Sequence, residues 1–168
     1  MRGVTESDGA TIYRMRSMAR ISEFIARQPM RDETEGFELA KKTREAFENR
    51  TGIGWTGILR GKGESIGTCG FNAIDIPNLH GEIGGEMSTR YWGKGIAQEA
   101  FQAIVRFGLY TMNLQTIEAK VAPGNRSAIH LLLESGFVKE AHFKRRIYFN
   151  EQFLDLAVYT LHKGSERI

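Results

Sequence analysis

The sequence predicts an α/β protein whose mixed β-sheet carries helices on it. Three observations lead there. Apolar residues recur at helical spacing in the runs 32–50, 96–110 and 125–136. Between and after these runs lie β-prone stretches separated by Gly, Pro and Asn turn signals. The two kinds of segment alternate as β-α-α-β-β-β-α-β-α-β-β, with no repeat, low-complexity tract or linker, so residues 1–168 read as one domain.

Each element has its own signal. "MRGVTESDG" reads as a very short strand, then a helix starting near Thr5 or Ser7 with Asp8 in its first turn. "DETEGFELAKKTREAFENR" sets Phe37, Ala40 and Phe47 on one side among many charges, the pattern of an amphipathic surface helix. "TGIGWTGILRG" and "ESIGTCGFNAID" are strands, and Gly61 and Gly63 suit a hairpin between them. "PNLHG" makes a turn, and "GEIGGEMS" is a third strand, bent at Gly84 and Gly85. The next run, 96–110, places Ile96, Ala100, Phe101, Ile104, Val105 and Phe107 at helical spacing, with Gln98, Gln102 and Arg106 as a polar stripe. "LQTIEAKVA" is a strand ended by Pro123 and Gly124. "NRSAIHLLLESG" is a short helix with Asn125 as N-cap and Gly136 at its C-terminal cap. Two β segments, 137–149 and 153–162, close around a "NEQ" turn.

Composition narrows the function classes. Hydrophobic residues at 41% and charged residues at 26% are ordinary for a globular chain of 168 residues. Lys and Arg (23) exceed Asp and Glu (20) by three, and the pI is near 9.1. Basic runs at 144–146 and at Lys41, Lys42 and Arg44 lack an aromatic-rich RNA-binding signature, so they read as solvated faces and no specific nucleic-acid partner is expected. One cysteine, Cys69, excludes an intrachain disulfide. With no bilayer-length apolar run and no signal-peptide core, the reading is a cytoplasmic protein without a membrane partner. His80, His130, His142 and His162 lack metal-ligand spacing, and no metal site is expected.

The stretch with the strongest chemical signal is "RYWGKGIAQEA", residues 90–100, where two glycines flank a lysine just before a helix. The first amides of a helix have no internal partner and carry the positive end of its dipole. Glycines in front of them let the backbone wrap an anion closely. The amides from Tyr91 to Ala97 would then face a pyrophosphate, with Arg90 and Lys94 adding charge; the alternative is an ordinary tight turn. A Rossmann fingerprint would need glycine at Gln98, and a P-loop would need Ser or Thr where Gly95 stands.

Taken together, the 82–137 region resembles the GNAT superfamily of acetyl-CoA-dependent N-acetyltransferases. "EIGGEMSTRYWGKGIAQEA" is similar to the family's strand, bulge and pyrophosphate loop, with Arg90, Gly93 and Gly95 filling its Gln/Arg-x-x-Gly-x-Gly/Ala consensus. "VAPGNRSAIHLLLESGF" looks like the next strand end and the asparagine-led helix. "NEQFLDLAVYTL" looks like the last strand of the branch that acetylates ribosomal protein N-termini and related amines. The resemblance implies a sheet splayed between its two middle strands and flanked by about four helices, with a first strand reduced to a stub at Met1-Arg2. It implies acetyl-CoA as cosubstrate, and a protein N-terminal α-amine or a small amine as acceptor, in a monomer or homodimer.

The site residues follow by the same resemblance. Glu86, Met87 and Ser88 would pair with the pantetheine arm, and the Met87 N–H would polarise the thioester carbonyl. The pyrophosphate would meet Arg90, Tyr91, Trp92, Gly93, Lys94, Gly95, Ile96 and Ala97, while Asn125 would bond the arm or cap its helix. Glu82 is the candidate base, because an amine of pKa about 8–10 must lose a proton before it attacks. Relatives carry a tyrosine or a serine where this chain has Leu132 and Ala128. Ser127, turned about 100° around the helix from Ala128, is the remaining candidate acid. Those missing hydroxyls keep open a non-catalytic acyl-CoA-binding module on the same fold, and the pI alone favours a third reading, a small nucleic-acid-associated protein.

Overall fold

Seven strands make one mixed sheet in the computed structural model, which describes residues 1–167. They are β1 (Arg2–Gly3), β2 (Ile53–Ile58), β3 (Ser65–Asp75), β4 (His80–Met87), β5 (Thr116–Val121), β6 (Val138–Phe149) and β7 (Gln152–His162). The helices are α1 (Gly9–Arg16), α2 (Ala19–Ser22), α3 (Glu33–Glu48), α4 (Ile96–Arg106) and α5 (Arg126–Glu134). The sheet runs β1-β2-β3-β4-β5-β7-β6, and only β4 and β5 pair in parallel. The expected α/β architecture is present, with the four-residue α2 as an added turn of helix.

The two faces of the sheet follow from the period of two along each strand. Ile117, Ala119 and Val121 of β5 and Ile83 of β4 point one way, into a core with Phe101, Ile104 and Val105 of α4 and Leu132 of α5. Glu118 and Lys120, and Glu82 and Glu86, alternate with them and therefore point to the other face. That face is the one α1 and α3 cover over β2: a Cβ on Gly54 would press on Thr43 of α3, and Thr56 bonds Asp8.

Asp8 ties the start of the chain to this face. Arg2 donates two hydrogen bonds of 2.7 Å to its carboxylate, and the Thr5 N–H and Thr56 hydroxyl add two more. Burial pushes the Asp8 carboxyl up, but the bonds from Arg2, Thr5 and Thr56 together outweigh it, and its pKa lies below the usual value. The expected helix start is thus a short 3-10 turn at Glu6–Asp8, and α1 begins at Gly9.

Two local expectations change. Of the expected stripe on α3, Ala40 is buried but Phe37 and Phe47 stay largely exposed, and Gly36 joins Ala40 in the buried stripe. A Cβ on Gly36 would collide with the Gly9 carbonyl, so small residues set the α1–α3 approach. On β4 the pairing runs straight through Gly84 and Gly85, and the irregularity sits opposite, between Phe71 and Ala73 of β3. Gly84 and Gly85 instead leave room for the side chains of Asn72 and Cys69, which a Cβ at either position would strike.

Candidate functional site

The parallel pairing of β4 with β5 lasts only three steps, His80–Thr116, Gly81–Ile117 and Glu82–Glu118. Beyond Glu82 the strands part. β4 stays paired to β3 as far as Gly67–Met87, and β5 stays paired to β7 as far as Val121–Ala157. Between them opens a gap in the middle of the sheet, and Gly85, on a central strand, is exposed because of it. The Ser88 N–H donates 2.9 Å to the Ile66 carbonyl on the β3 side. Alternation along an antiparallel strand then turns the backbone N–H of Gly85 and Met87 the opposite way, into the gap.

The glycine loop stands at the end of β4. Residues Thr89–Tyr91 form a 3-10 turn, and α4 begins at Ile96 after Gly95 as N-cap. Gly93 (φ 71°) and Gly95 (φ 75°) both take left-handed backbone, and a Cβ on either would meet nothing within 4 Å. No side chain caps α4. Its leading amides therefore face open space with an electropositive dipole end behind them.

The structure narrows the expected cradle. The Tyr91 and Trp92 amides donate inside the turn, to Ser88 and Thr89 carbonyls, and the Ser88 amide is held by Ile66. The amides left to face a ligand are those of Gly93, Lys94, Gly95, Ile96 and Ala97. Tyr91 serves through its side chain: it is buried, its hydroxyl donates to Glu64 at 2.6 Å, and Arg90 and Lys94 lie over its ring. The Trp92 indole N–H donates 2.7 Å to the Met87 carbonyl, with Arg20 of α2 over its ring. The Met87 carbonyl is thus occupied, while its N–H faces the gap.

Across the gap, Asn125 accepts from the Ala128 N–H at 3.1 Å and caps α5. Ala128 packs against the core, Leu132 is buried in it, and Ser127 is exposed in the first turn of α5. Cys69 sits beside the core, where burial pushes its thiol to about 12. A thiol so hard to ionise is a poor nucleophile.

On the α1–α3 face, Glu82 accepts from Lys120 Nζ at 2.6 Å through Oε2, and Lys120 also lies 3.4 Å from Glu118. The Glu82 hydrogen bond raises the Lys120 pKa above the usual value. The other Glu82 oxygen has no hydrogen-bond partner among the described residues. Beside this cluster lies a cavity of about 570 Å³ over β5, β7 and β6, lined by Glu118, Lys120, Glu140, Phe143 and Arg146 among others. Further along β4, the Glu86 carboxylate is 5% exposed and pairs with two guanidiniums, Arg16 at the end of α1 and Arg27 at 2.9 Å. Burial, then the nearby Arg27 charge, pulls the Arg16 pKa down against the opposing pull of Glu86.

A set of free helix-start amides beside a breached parallel pair suits a diphosphate with a narrow extended arm. The acetyltransferase (GNAT) domain family matches residues 1–138. The chain belongs to this family. An uncharacterized N-acetyltransferase of Bacillus licheniformis is 40% identical over 106 residues, covering 63% of this chain and 60% of that protein. The ribosomal-protein-alanine acetyltransferase of Vibrio fischeri has a TM-score of 0.82 at 23% identity, covering 97% of this chain and 92% of its own. The spermidine N-acetyltransferase of Vibrio cholerae, in complex with CoA and spermine, has a TM-score of 0.86 at 20% identity, covering 98% and 95%. One fold thus carries a protein acceptor and a polyamine acceptor, so the fold alone does not select the amine. No described helix is long and apolar enough to cross a membrane.

The sequence pattern pointed to Glu82, the glycine loop and Asn125. It missed Lys120, Arg16 and Arg27, which meet their partners from 38, 70 and 59 residues away.

Proposed function

We propose that this domain transfers the acetyl group of acetyl-CoA to a primary amine, by direct attack of the amine. The observation that carries the reading is the gap between β4 and β5, which opens beside five uncommitted loop amides. Gly93 and Gly95 fit the group, because their left-handed backbone leaves the anion side empty of any Cβ. Acetyl-CoA supplies an acyl group already activated as a thioester.

The residues divide the work. Amides from Gly93 to Ala97 hold the diphosphate, with Arg90 and Lys94 adding charge at the rim. The Met87 N–H, aimed into the gap, stabilises negative charge developing on a carbonyl oxygen there. The acceptor enters over the α1–α3 face, along the cavity beside Lys120. Glu82 removes the amine proton through its unbonded oxygen while Lys120 holds the other. Asn125 keeps the α5 start in place across the gap. Thiolate departure relies little on Ser127: a thiol has a pKa near 8.5, so its thiolate leaves tolerably without an acid.

The acceptor in this reading is a protein N-terminal α-amine or a small amine; the likeness to a ribosomal-protein-alanine acetyltransferase and to a spermidine N-acetyltransferase supports keeping both classes. The test is thiol release from acetyl-CoA in the presence of N-terminal peptides and small amines, with acetylated product read by mass spectrometry. Tight CoA binding with no thiol released from any amine would instead mark a binding module.

A further inference from the structure

Glu86 needs one cation and has two. Its carboxylate is almost fully buried on the acceptor face, one residue from Met87, and both Arg16 and Arg27 pair with it. Two guanidiniums bring about ten N–H donors. Among the described residues only three hydrogen bonds use them: Arg16 Nε to Glu86, and Arg27 to Glu86 and to Ser22. The Arg27 Nε is buried and has no partner among the described residues. One net positive charge and most of the donors are left over, although each arginine side chain is only about a fifth exposed (23% and 22%).

These arginines flank the acceptor entrance. The segment after α2 crosses from one side of the gap to the other. Phe24 lies against Gly124 just past β5, Arg27 reaches Glu86 on β4, and Gln28 donates 2.6 Å to Asn150 at the β6–β7 turn. The surplus charge therefore sits against Glu86, the residue next to Met87 on β4. By contrast, the cavity wall is nearly balanced, with Glu118 and Glu140 offset by Lys120 and Arg146. A guanidinium fork matches a carboxylate or phosphate bidentately, and an ammonium is repelled by it.

We propose that the acceptor carries an anionic group, a carboxylate or a phosphate, a few bonds from its amine, and that Arg16 and Arg27 receive it. This rests on the acetyl-transfer reading and names the substrate class for it. Holding Glu86 requires only one arginine; the second is there for the ligand.

The test uses matched acceptors differing in one charge: free amino acids against their amides, and phosphoethanolamine against ethanolamine. The rates are compared per free amine. The anionic member of at least one pair should show a kcat/KM higher by about tenfold or more, chiefly through KM. The pair that responds separates carboxylate from phosphate. In Arg27→Gln that ratio should collapse to below about twofold, and Arg27→Lys should restore part of it. Equal rates within every pair, or preference for the uncharged member, overturns the proposal while leaving acetyl transfer standing. A second measurement needs no turnover: phenylglyoxal labelling of Arg16 and Arg27, read by peptide mass, in the presence of succinate or inorganic phosphate. Slower labelling of these two arginines supports the anion site. Labelling unchanged by either anion, even if no amine is acetylated, overturns it.

Discussion

Gly95→Asp tests the cofactor loop through charge alone. Gly95 caps α4 at φ 75°, and a Cβ there would meet nothing within 4 Å, so no neighbour need move. Left-handed backbone costs an ordinary L-residue about 1–2 kcal/mol, but Asn and Asp adopt it more readily because their side chains bond locally. An acidic group at a helix start also gains about 0.3–1 kcal/mol from the dipole. The variant should fold, with a Tm within about 5 °C of the parent. Two unit charges 4 Å apart repel by about 1 kcal/mol in water and about 4 kcal/mol at an effective dielectric of 20. A diphosphate carrying about two charges is then destabilised by about 2–8 kcal/mol. Even the lower end weakens binding by about thirtyfold. Gly95→Asn has the same shape without the charge and should stay within about fivefold of the parent. Calorimetric titration of CoA into the three proteins decides it, and the Asp penalty should shrink at high salt. If Gly95→Asp binds CoA as Gly95→Asn does, the diphosphate does not rest on these amides.

Other expectations follow from the same geometry. Glu82→Gln should lower kcat by about a hundredfold with CoA affinity intact, and the loss should shrink as pH nears the amine's pKa; an unchanged pH profile in steady-state kinetics would assign the base elsewhere. Ser127→Ala should cost less than about tenfold in kcat, since the side chain is exposed and the thiolate leaves readily; a hundredfold loss with CoA binding unaltered would make it the acid. Of the two tryptophans, Trp55 packs edge-on against Phe107, whereas Trp92 is exposed and bonded to the Met87 carbonyl. Saturating CoA should therefore change the emission of the parent but not of Trp92→Phe, and a silent parent would separate Trp92 from the cofactor path. Asp8 has its pKa lowered in the fold, so its stabilising contribution is full above the unfolded value of about 3.9 and is lost as pH falls through the folded one. Asp8→Asn should melt below the parent at neutral pH, with the two curves converging in acid; parallel curves down to acid pH would exclude that linkage.

The half of the candidate site that we assign to the cofactor was legible because it is contiguous. Glu82 through Ala97 runs as strand, turn and helix start, and the chemistry lies in backbone amides whose freedom shows as glycine. The same local reading reached too far where backbone carbonyls of the preceding turn take those amides. Nothing in "STRYW" announces that the Tyr91 and Trp92 N–H groups close a 3-10 turn, or that the Trp92 indole reaches the Met87 carbonyl. The acceptor half was not legible, because it is assembled from the end of α1, the segment after α2, β5 and the β6–β7 turn. Period-two alternation does place Glu82 and Glu86 on one face, but it cannot say that two arginines from the first thirty residues will meet Glu86 there. Likewise Phe37, Ala40 and Phe47 mark a helical stripe, yet α3 buries Ala40 with Gly36 and leaves both aromatics exposed, since Gly36 lets its backbone reach Gly9.

β4 couples the two halves through its register. The backbone groups of Gly85 and Met87 face the gap, while the side chains of the alternate residues Glu82 and Glu86 face the acceptor side. A slip of one residue against β3 would reverse both assignments, sending the carboxylates toward Phe71 and Ile117 and turning the Met87 N–H back onto β3. Two features resist that slip. Asn72 is the extra residue on β3, and its amide fills the space that Gly84 leaves empty, so only one alignment seats it. Glu86 is held from the α1 side by Arg16 and Arg27, and burying it on the apolar face without them would leave an unpaired charge. The arginines that receive the acceptor's anion in our proposal thereby also hold in place the N–H that activates the acyl group, so loss of both should misalign the cofactor edge as well as the acceptor.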